Sequence, residues 1–184
     1  MKAVLISIQP KWVEKIASGA KTIEVRKTRP KTETPFKCYI YCTIGKGIKG
    51  DYLVPSGIQC GKVIGEFTCD KIYEWNYRQL LGLNGIINTY FSVFAEDLSK
   101  TSLTHKDLEN YGKGKTLYGW HISDLKIYDK PKELSEFKAW RDCETPHKQF
   151  MNCKFTYRHQ SHCEWCQWIK RPPQSWCYTE VQNG

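Results

Sequence analysis

The sequence has no long apolar run. The apolar part of AVLISI near the start is much shorter than a membrane-spanning helix or the core of a signal peptide, and it runs into Gln9 and Pro10. We therefore expect a cytoplasmic protein without a membrane segment or an export signal. Internal repeats and low-complexity linkers are also lacking. The 40% hydrophobic and 14% aromatic residues exclude a disordered chain.

Acidic residues are scarce relative to basic ones. Nineteen Asp and Glu stand against 28 Lys and Arg, which gives a formal net charge of +9. This excess favours polyanionic partners such as nucleic acids, because phosphate contacts come mostly from cationic side chains. Charge alone does not separate a nucleic-acid-binding protein from an ordinary basic one.

Hydrophobic periodicity predicts a mixed α+β domain, and 184 residues fit one domain with an elaboration. Helical patterns occur in PKWVEKIAS, which stops at Gly19, across Asn76 to Gly114, and in ELSEFKAWRD. Within the second of these, Thr104 is the expected cap and Gly112 the expected end of a helix. Strand patterns occur in KAVLISIQ, TIEVRK, FKCYIYCTI, GKVIGEFTCDKIYEW, TLYGWHISDLKIYD and RPPQSWCYTEV. The five or six strands predict a curled sheet or barrel.

The stretch GAKTIEVRK places four charged residues on or beside one short strand. Alternation puts Ile23 and Val25 on one face, and Thr22, Glu24 and Arg26 on the other. Two interpretations follow from this pattern. Glu24 and Arg26 form either a weak exposed pair on a solvated face or part of a binding cleft.

The order of these segments resembles a known family. A strand, a helix starting with Pro and Trp, the motif Gly19-x-Lys21-x-x-Glu24-x-Arg26 and a further strand look like the start of an ASCH domain, a member of the PUA-like superfamily. GKVIGEF and YGWHISDLKIYDKP are similar to later parts of that family. The ending RPPQSWCY resembles the subgroup found in phage and phage-associated bacterial proteins.

The resemblance implies a small β-barrel surrounded by helices, with the ASCH domain at residues 1–131 and a C-terminal extension at 132–184. It also implies binding of RNA or a nucleotide in a basic cleft walled by the motif. The candidate ligand-binding residues are Lys21, Thr22, Glu24 and Arg26 of the motif strand. Trp12 is added from its place on the preceding helix, as a ring on which a base can stack. In such a cleft, Lys21 and Arg26 would supply positive charge, and Glu24 would orient Arg26 or bind the ligand.

Catalysis is the alternative that the resemblance implies. One ASCH group is similar to amidohydrolases of acetylated cytidine, which use a Lys, a Thr and a Glu, and another has ribonuclease activity. Lys21 matches the Lys, but Glu24 occupies the Thr position, and Glu109 is the only suggestion for the distant Glu. Lys21 and Glu24 are therefore the candidate catalytic residues. A phage-related protein-interaction module is the second alternative.

Nine cysteines in a cytoplasmic chain favour free thiols or metal ligands over disulfides. Cys163 and Cys166 have the two-residue gap that lets both sulfurs face one tetrahedral metal. They lie in a polar stretch with few apolar residues, where a structural zinc would contribute folding free energy. The preferred ligand set is Cys143, Cys153, Cys163 and Cys166, with His159 and His162 as alternatives. Cys38, Cys42, Cys60, Cys69 and Cys177 are expected to be packed thiols.

Overall fold

The structure, a computed structural model, describes residues 1–45, 55–81, 87–140 and 168–181. Ten strands and three α-helices lie in these ranges. The helices are α1 (Pro10–Ala17), α2 (Ala95–Thr101) and α3 (His105–Gly112), and a 3₁₀ turn covers Leu134–Glu136. The strands are β1 (Lys2–Ile8), β2 (Ile23–Arg26), β3 (Phe36–Cys42), β4 (Val63–Cys69), β5 (Ile72–Trp75), β6 (Tyr77–Leu81), β7 (Ile87–Phe91), β8 (Leu117–His121), β9 (Ser123–Lys132) and β10 (Trp176–Glu180).

The strands form three sheets. The largest has the order β10-β1-β3-β4-β9, the second has the order β2-β8-β5, and β6 pairs with β7. Among the described strands, only the β1–β3 pair is parallel; the other pairs are antiparallel. The mixed α+β class is confirmed. The described strands do not close into a barrel, so the predicted barrel is seen only as separate sheets.

The five-stranded sheet is buried on both faces, which explains the almost continuous apolar sequence of β1. One face packs Val4, Ile6 and Ile8 with Val13 and Ile16 of α1. The other face packs Ala3 and Leu5 against Phe137 and Ile169, which follow β9 in the sequence. The C-terminal segment therefore belongs to the same core as the first strand. The division at residue 131 remains a prediction, although β10 is the closing strand expected in the extension.

The long helical segment predicted from Asn76 is wrong over its first part. Tyr77–Leu81 and Ile87–Phe91 are paired strands, with Arg78 opposite Tyr90 and Leu81 opposite Ile87. Tyr and Ile favour strands because their side chains pack well across a pleated pair, and this pairing is not visible from helical spacing. The expected helix is confirmed further along: Thr104 caps α3 through a capping box with Asp107, and α3 ends at Gly112.

Two other segments also differ from expectation. ELSEFKAWRD forms only a 3₁₀ turn within its described part, because the chain then extends and Ala139 pairs with Thr179 of β10. GKVIGEFTCDKIYEW is not one bent strand, since β4 lies in the five-stranded sheet and β5 in the three-stranded sheet. In both places tertiary pairing, rather than local pattern, sets the structure.

The four early cysteines are buried, as expected, and Cys177 is half-buried. Burial raises the pKa of the Cys177 thiol to about 11, so it is a packed rather than a reactive thiol. Cys143, Cys153, Cys163 and Cys166 lie outside the described residues, as do His159 and His162. Within the described ranges, no group of three or more His, Cys, Asp or Glu could hold a metal ion.

None of the helices in the described part of the chain is long and apolar enough to cross a membrane.

Phe137 tests whether the C-terminal segment is part of the core. Its side chain is fully buried, and its ring lies 5.0 Å from that of Tyr39. Phe137→Ala should lower the free energy of unfolding by about 3–5 kcal/mol, because it leaves a cavity in the core. Phe94→Ala is the matched control, since Phe94 is 80% exposed, and should cost less than about 0.5 kcal/mol. Urea denaturation measures the free energy of unfolding of both variants. Equal losses in the two variants would contradict the placement of Phe137 in the core.

Candidate functional site

A cleft of about 1020 Å³ opens where several elements meet. Its walls come from the end of β1, from α1, β2, α3 and the end of β3, and from the segment just before β10. Trp12, Lys21, Glu24 and Arg26, four of the five ligand-binding residues expected from the sequence, line this cleft. The motif strand is therefore a cleft wall.

Local sequence explains how the motif enters the wall. α1 ends at Ala17, and Gly19 follows with a φ of +77°, a left-handed conformation that glycine adopts without steric cost. The amide of Lys21 then donates to the carbonyl of Lys15 at 2.9 Å, which turns the chain back along α1. β2 begins two residues later and pairs with β8, with Glu24 opposite Trp120.

Glu24 bridges two cations inside the wall. Its Oε2 lies 3.3 Å from Lys21 Nζ, and its Oε1 lies 3.0 Å from Arg26 Nη2. The three residues are only 2%, 6% and 7% exposed, in the order Lys21, Glu24, Arg26. The solvated-strand interpretation is wrong, because a solvated face would leave these groups open to water.

Lys21 is fully engaged by protein groups. Its ammonium donates to the carbonyls of Ile23 and Thr101, both at 2.8 Å, and contacts Glu24. An ammonium has three N–H donors, so these partners account for all of them. Burial lowers the pKa of Lys21, while the charge of Glu24 opposes that effect. A ligand phosphate could take a hydrogen bond from Lys21 only by displacing one of these partners.

Arg26 ties the motif to both ends of the chain. Its Nη2 donates to the carbonyl of Ser7 at 2.6 Å, and its Nη1 donates to Ser175 Oγ at 3.4 Å. Its Nε is buried without a hydrogen-bond partner among the described residues. Most of this guanidinium therefore holds β1, β2 and the segment before β10 together.

Aromatic side chains border the ion network. Trp12 and Tyr111 both line the cleft. Lys21 Nζ lies 5.4 Å from the centre of the Trp12 ring, and the Nζ of exposed Lys11 lies 4.6 Å from it. The Nζ of exposed Lys27 lies 4.7 Å from the centre of the Tyr111 ring. These distances allow cation–π attraction, and they place two solvated lysines beside the cleft aromatics.

The formal charges of the lining balance. Lys21 and Arg26 are its cations, and Glu24 and Asp107 are its carboxylates. Asp107 is the capping residue of α3, and hydrogen bonding from the Thr104 backbone lowers its pKa, so it stays ionised at neutral pH. The positive charge expected in the cleft is thus compensated in the wall, and the exposed lysines lie beside it.

The segment before β10 completes the cleft. Pro173 and Gln174 are in the lining. Ser7 Oγ donates to the Pro173 carbonyl at 2.7 Å, and the Ser7 amide donates to the Ser175 carbonyl at 2.9 Å. Sequence reasoning missed Ser7, Gln174 and Tyr111 as cleft residues. Residues more than 160 positions apart meet here, and no local pattern signals such a contact.

Some expected residues lie away from the cleft lining. Thr22 is half-buried, and its amide donates to the Lys100 carbonyl at 2.9 Å. Glu109 is on α3, but the residues of α3 that line the cleft are Asp107 and Tyr111. Two neighbours of the motif strand on β8 also lie outside the lining: Trp120 is fully buried in the core, and His121 Nδ1 lies 2.6 Å from Asp70 Oδ1.

Solved structures share this fold. The chain is similar to the ASCH protein of Zymomonas mobilis, with 19% identity and a TM-score of 0.50 over 72% of this chain and 73% of that one. A tyrosine-to-phenylalanine mutant of that protein is 19% identical, with a TM-score of 0.50 over 73% of this chain and 77% of that one. A serine-to-alanine mutant is 17% identical, with a TM-score of 0.54 over 96% of this chain and 87% of that one. At such identities the likeness establishes an ASCH-type fold.

A scan against protein families and a search of curated proteins find no match to this chain.

Glu24→Gln tests the ion network. The substitution keeps the shape but leaves two buried cations without their carboxylate, so we expect a loss of about 3–5 kcal/mol in the free energy of unfolding. It should also lower the pKa of Lys21 further, because burial lowers this pKa and the charge of Glu24 is what opposes that effect. Urea denaturation and NMR titration of the lysine side chain measure these effects.

The matched control is Glu96→Gln. Glu96 Oε1 lies 2.6 Å from Lys100 Nζ, but this pair is exposed on α2. Exposed pairs four residues apart in a helix contribute little to stability, so Glu96→Gln should change the free energy of unfolding only slightly. A loss at Glu24 as small as that at Glu96 would show that the network does not stabilise the wall.

Proposed function

We propose that this protein is an ASCH-family protein that binds RNA or a nucleotide in the cleft beside its Gly19–Arg26 motif. The observation that supports this best is the position of Trp12, whose ring borders the buried network of Lys21, Glu24 and Arg26 in a cleft of about 1020 Å³. Aromatic rings bind single-stranded nucleic acids by stacking on bases, since every base has a face that can stack.

The distribution of charge supports different ligand contacts in the cleft and at its edge. Inside the lining, cations and carboxylates balance and Lys21 has its donors engaged, which suits an uncharged base or nucleoside. Lys11 and Lys27 are exposed beside cleft aromatics and can approach phosphates. In this proposal a base enters the cleft, and the backbone of the ligand lies along the lysines.

Catalysis is the second candidate, in which Lys21 and Glu24 act on acetylated cytidine or on RNA. The lowered pKa of Lys21 supports it, because burial of a lysine is one way in which proteins activate an amine. Two features favour binding instead. Lys21 is held by two backbone carbonyls and by Glu24, and Glu109 is not part of the lining.

Fluorescence anisotropy of labelled single-stranded RNA tests the proposal. Trp12→Ala should weaken binding by about 1–3 kcal/mol, the contribution of one base–aromatic stack. Lys11→Ala and Lys27→Ala should each reduce the slope of log affinity against log salt by about 0.7 for each phosphate that the variant no longer binds. Trp168→Ala and Lys132→Ala are the matched controls. Trp168 is partly exposed, Lys132 lies over Tyr128, and neither lines the cleft.

If Trp12→Ala, Lys11→Ala and Lys27→Ala all bound RNA as tightly as wild type, RNA would not bind at the cleft or at its edge. A protein-interaction role would then be the better proposal. The catalytic candidate would be favoured if the wild-type protein fragmented the RNA or released acetate from acetylated cytidine, and if the Lys21→Met variant lacked that activity.

The C-terminal extension carries a further part of this proposal. We propose that it is a Cys-rich extension of the phage-related ASCH subgroup and binds one structural zinc through Cys143, Cys153, Cys163 and Cys166. Elemental analysis of the purified protein should find about one zinc per chain, and Cys163→Ser with Cys166→Ser should lower that content, whereas Cys177→Ser should not. Zinc-free protein with unchanged stability would contradict it.

A further inference from the structure

Two carboxamides line the cleft and have no partner in the described ranges. Gln9 and Gln174 are both exposed, and no described residue hydrogen-bonds either side chain. Gln9 precedes α1 at the capping position, yet its side chain makes no capping hydrogen bond. Only its backbone carbonyl is used, accepting from the amides of Trp12 and Val13. Both carboxamides are therefore available to a ligand.

Both residues lie next to the junction between the end of β1 and the segment before β10. The hydrogen bonds from Ser7 to the carbonyls of Pro173 and Ser175 continue the β1–β10 pairing past its last regular pair. Arg26 spans the same junction through its bonds to Ser7 and Ser175. Gln9 follows Ser7 by two residues, and Gln174 lies between the two carbonyls that Ser7 contacts. Buried groups therefore hold the backbone at both positions.

The chemistry of a carboxamide fits a nucleobase edge. A glutamine side chain offers an acceptor oxygen beside a donor nitrogen, and such a pair can form two hydrogen bonds with a base. Lys21, Glu24 and Arg26 are paired with one another, and the Asp107 carboxylate accepts hydrogen bonds from Thr104. These charged groups are therefore occupied by protein partners. Trp12, in the same lining, follows Gln9 by three residues at the start of α1 and supplies a ring face.

We infer that Gln9 and Gln174 determine which base the cleft accepts, by hydrogen bonding to the edge of a base in single-stranded RNA. This inference rests on the proposed function, and it adds the residues that distinguish one base from another. Stacking on Trp12 supplies affinity for any base, and the two carboxamides supply the difference between bases.

Competition experiments with a labelled single-stranded RNA test this directly. Unlabelled hexamers of adenosine, cytidine and uridine compete for the wild-type protein and for Gln9→Ala, Gln174→Ala and the double variant. We expect wild type to prefer one hexamer by about tenfold or more, the scale of one good base contact. The double variant should bind all three with nearly equal affinity.

Gln174→Glu sharpens the test, because a carboxylate accepts but does not donate. It should shift the preference towards cytidine or adenosine, whose exocyclic amino groups donate. Gln79→Ala is the matched control, since Gln79 is exposed on β6 and lies outside the lining. It should keep the wild-type preference. Unchanged unfolding midpoints establish that the variants fold.

The outcomes separate the two proposals. A preference in wild type that the double variant does not show supports the inference. Binding of RNA without a base preference, or a preference that survives in the double variant, overturns the inference and leaves the proposed function standing. If wild type binds no RNA, the inference is overturned. If wild type also binds no mononucleotide, the proposed function is wrong as well.

Discussion

The contact on which the cleft depends is the carboxylate of Glu24 held between Lys21 and Arg26. Through Lys21 it connects β2 to the end of α2, and through Arg26 it connects β2 to β1 and to Ser175. Three of these parts, β1, β2 and the segment before β10, form walls of the cleft. A buried charge without a partner is costly, so each member of the network fixes the position of the other two. The shape of the cleft follows from that mutual requirement.

Such a network does not need to add stability in order to be useful. Removing ions from water costs several kcal/mol for each ion, and well-packed apolar residues often give equal or greater stability. What the charges supply here is a defined geometry, because hydrogen bonds to the carbonyls of Ser7, Ile23 and Thr101 have fixed directions. Apolar side chains at positions 21, 24 and 26 would fill the space without joining these three carbonyls.

The sequence is informative where local rules decide the structure. β1, α1 and the capped helix α3 can be predicted because apolar spacing, Pro10, Thr104 and Gly112 act within a few residues. The motif can be recognised, but its burial cannot. Charged residues alternating with apolar ones are typical of a strand with one solvated face, and here mutual pairing of Lys21, Glu24 and Arg26 buries the charged face. The helix predicted over β6 and β7 is wrong because cross-strand pairing, not helical spacing, sets the structure there.

The C-terminal wall shows the same limit more clearly. Ser7 and Ser175 lie near opposite ends of the chain, and nothing near either residue indicates their contact. The formal charge of +9 favours polyanionic partners, and the family resemblance implies a basic cleft. The lining is nevertheless balanced in charge, and exposed lysines lie beside it. This arrangement separates two tasks. Surface lysines act over distances near the Debye length of about 8 Å at physiological salt, whereas a neutral, aromatic cleft acts only on contact. In the proposed function, long-range attraction by these lysines would bring a single strand to the surface, and discrimination between bases would depend on the groups inside the cleft.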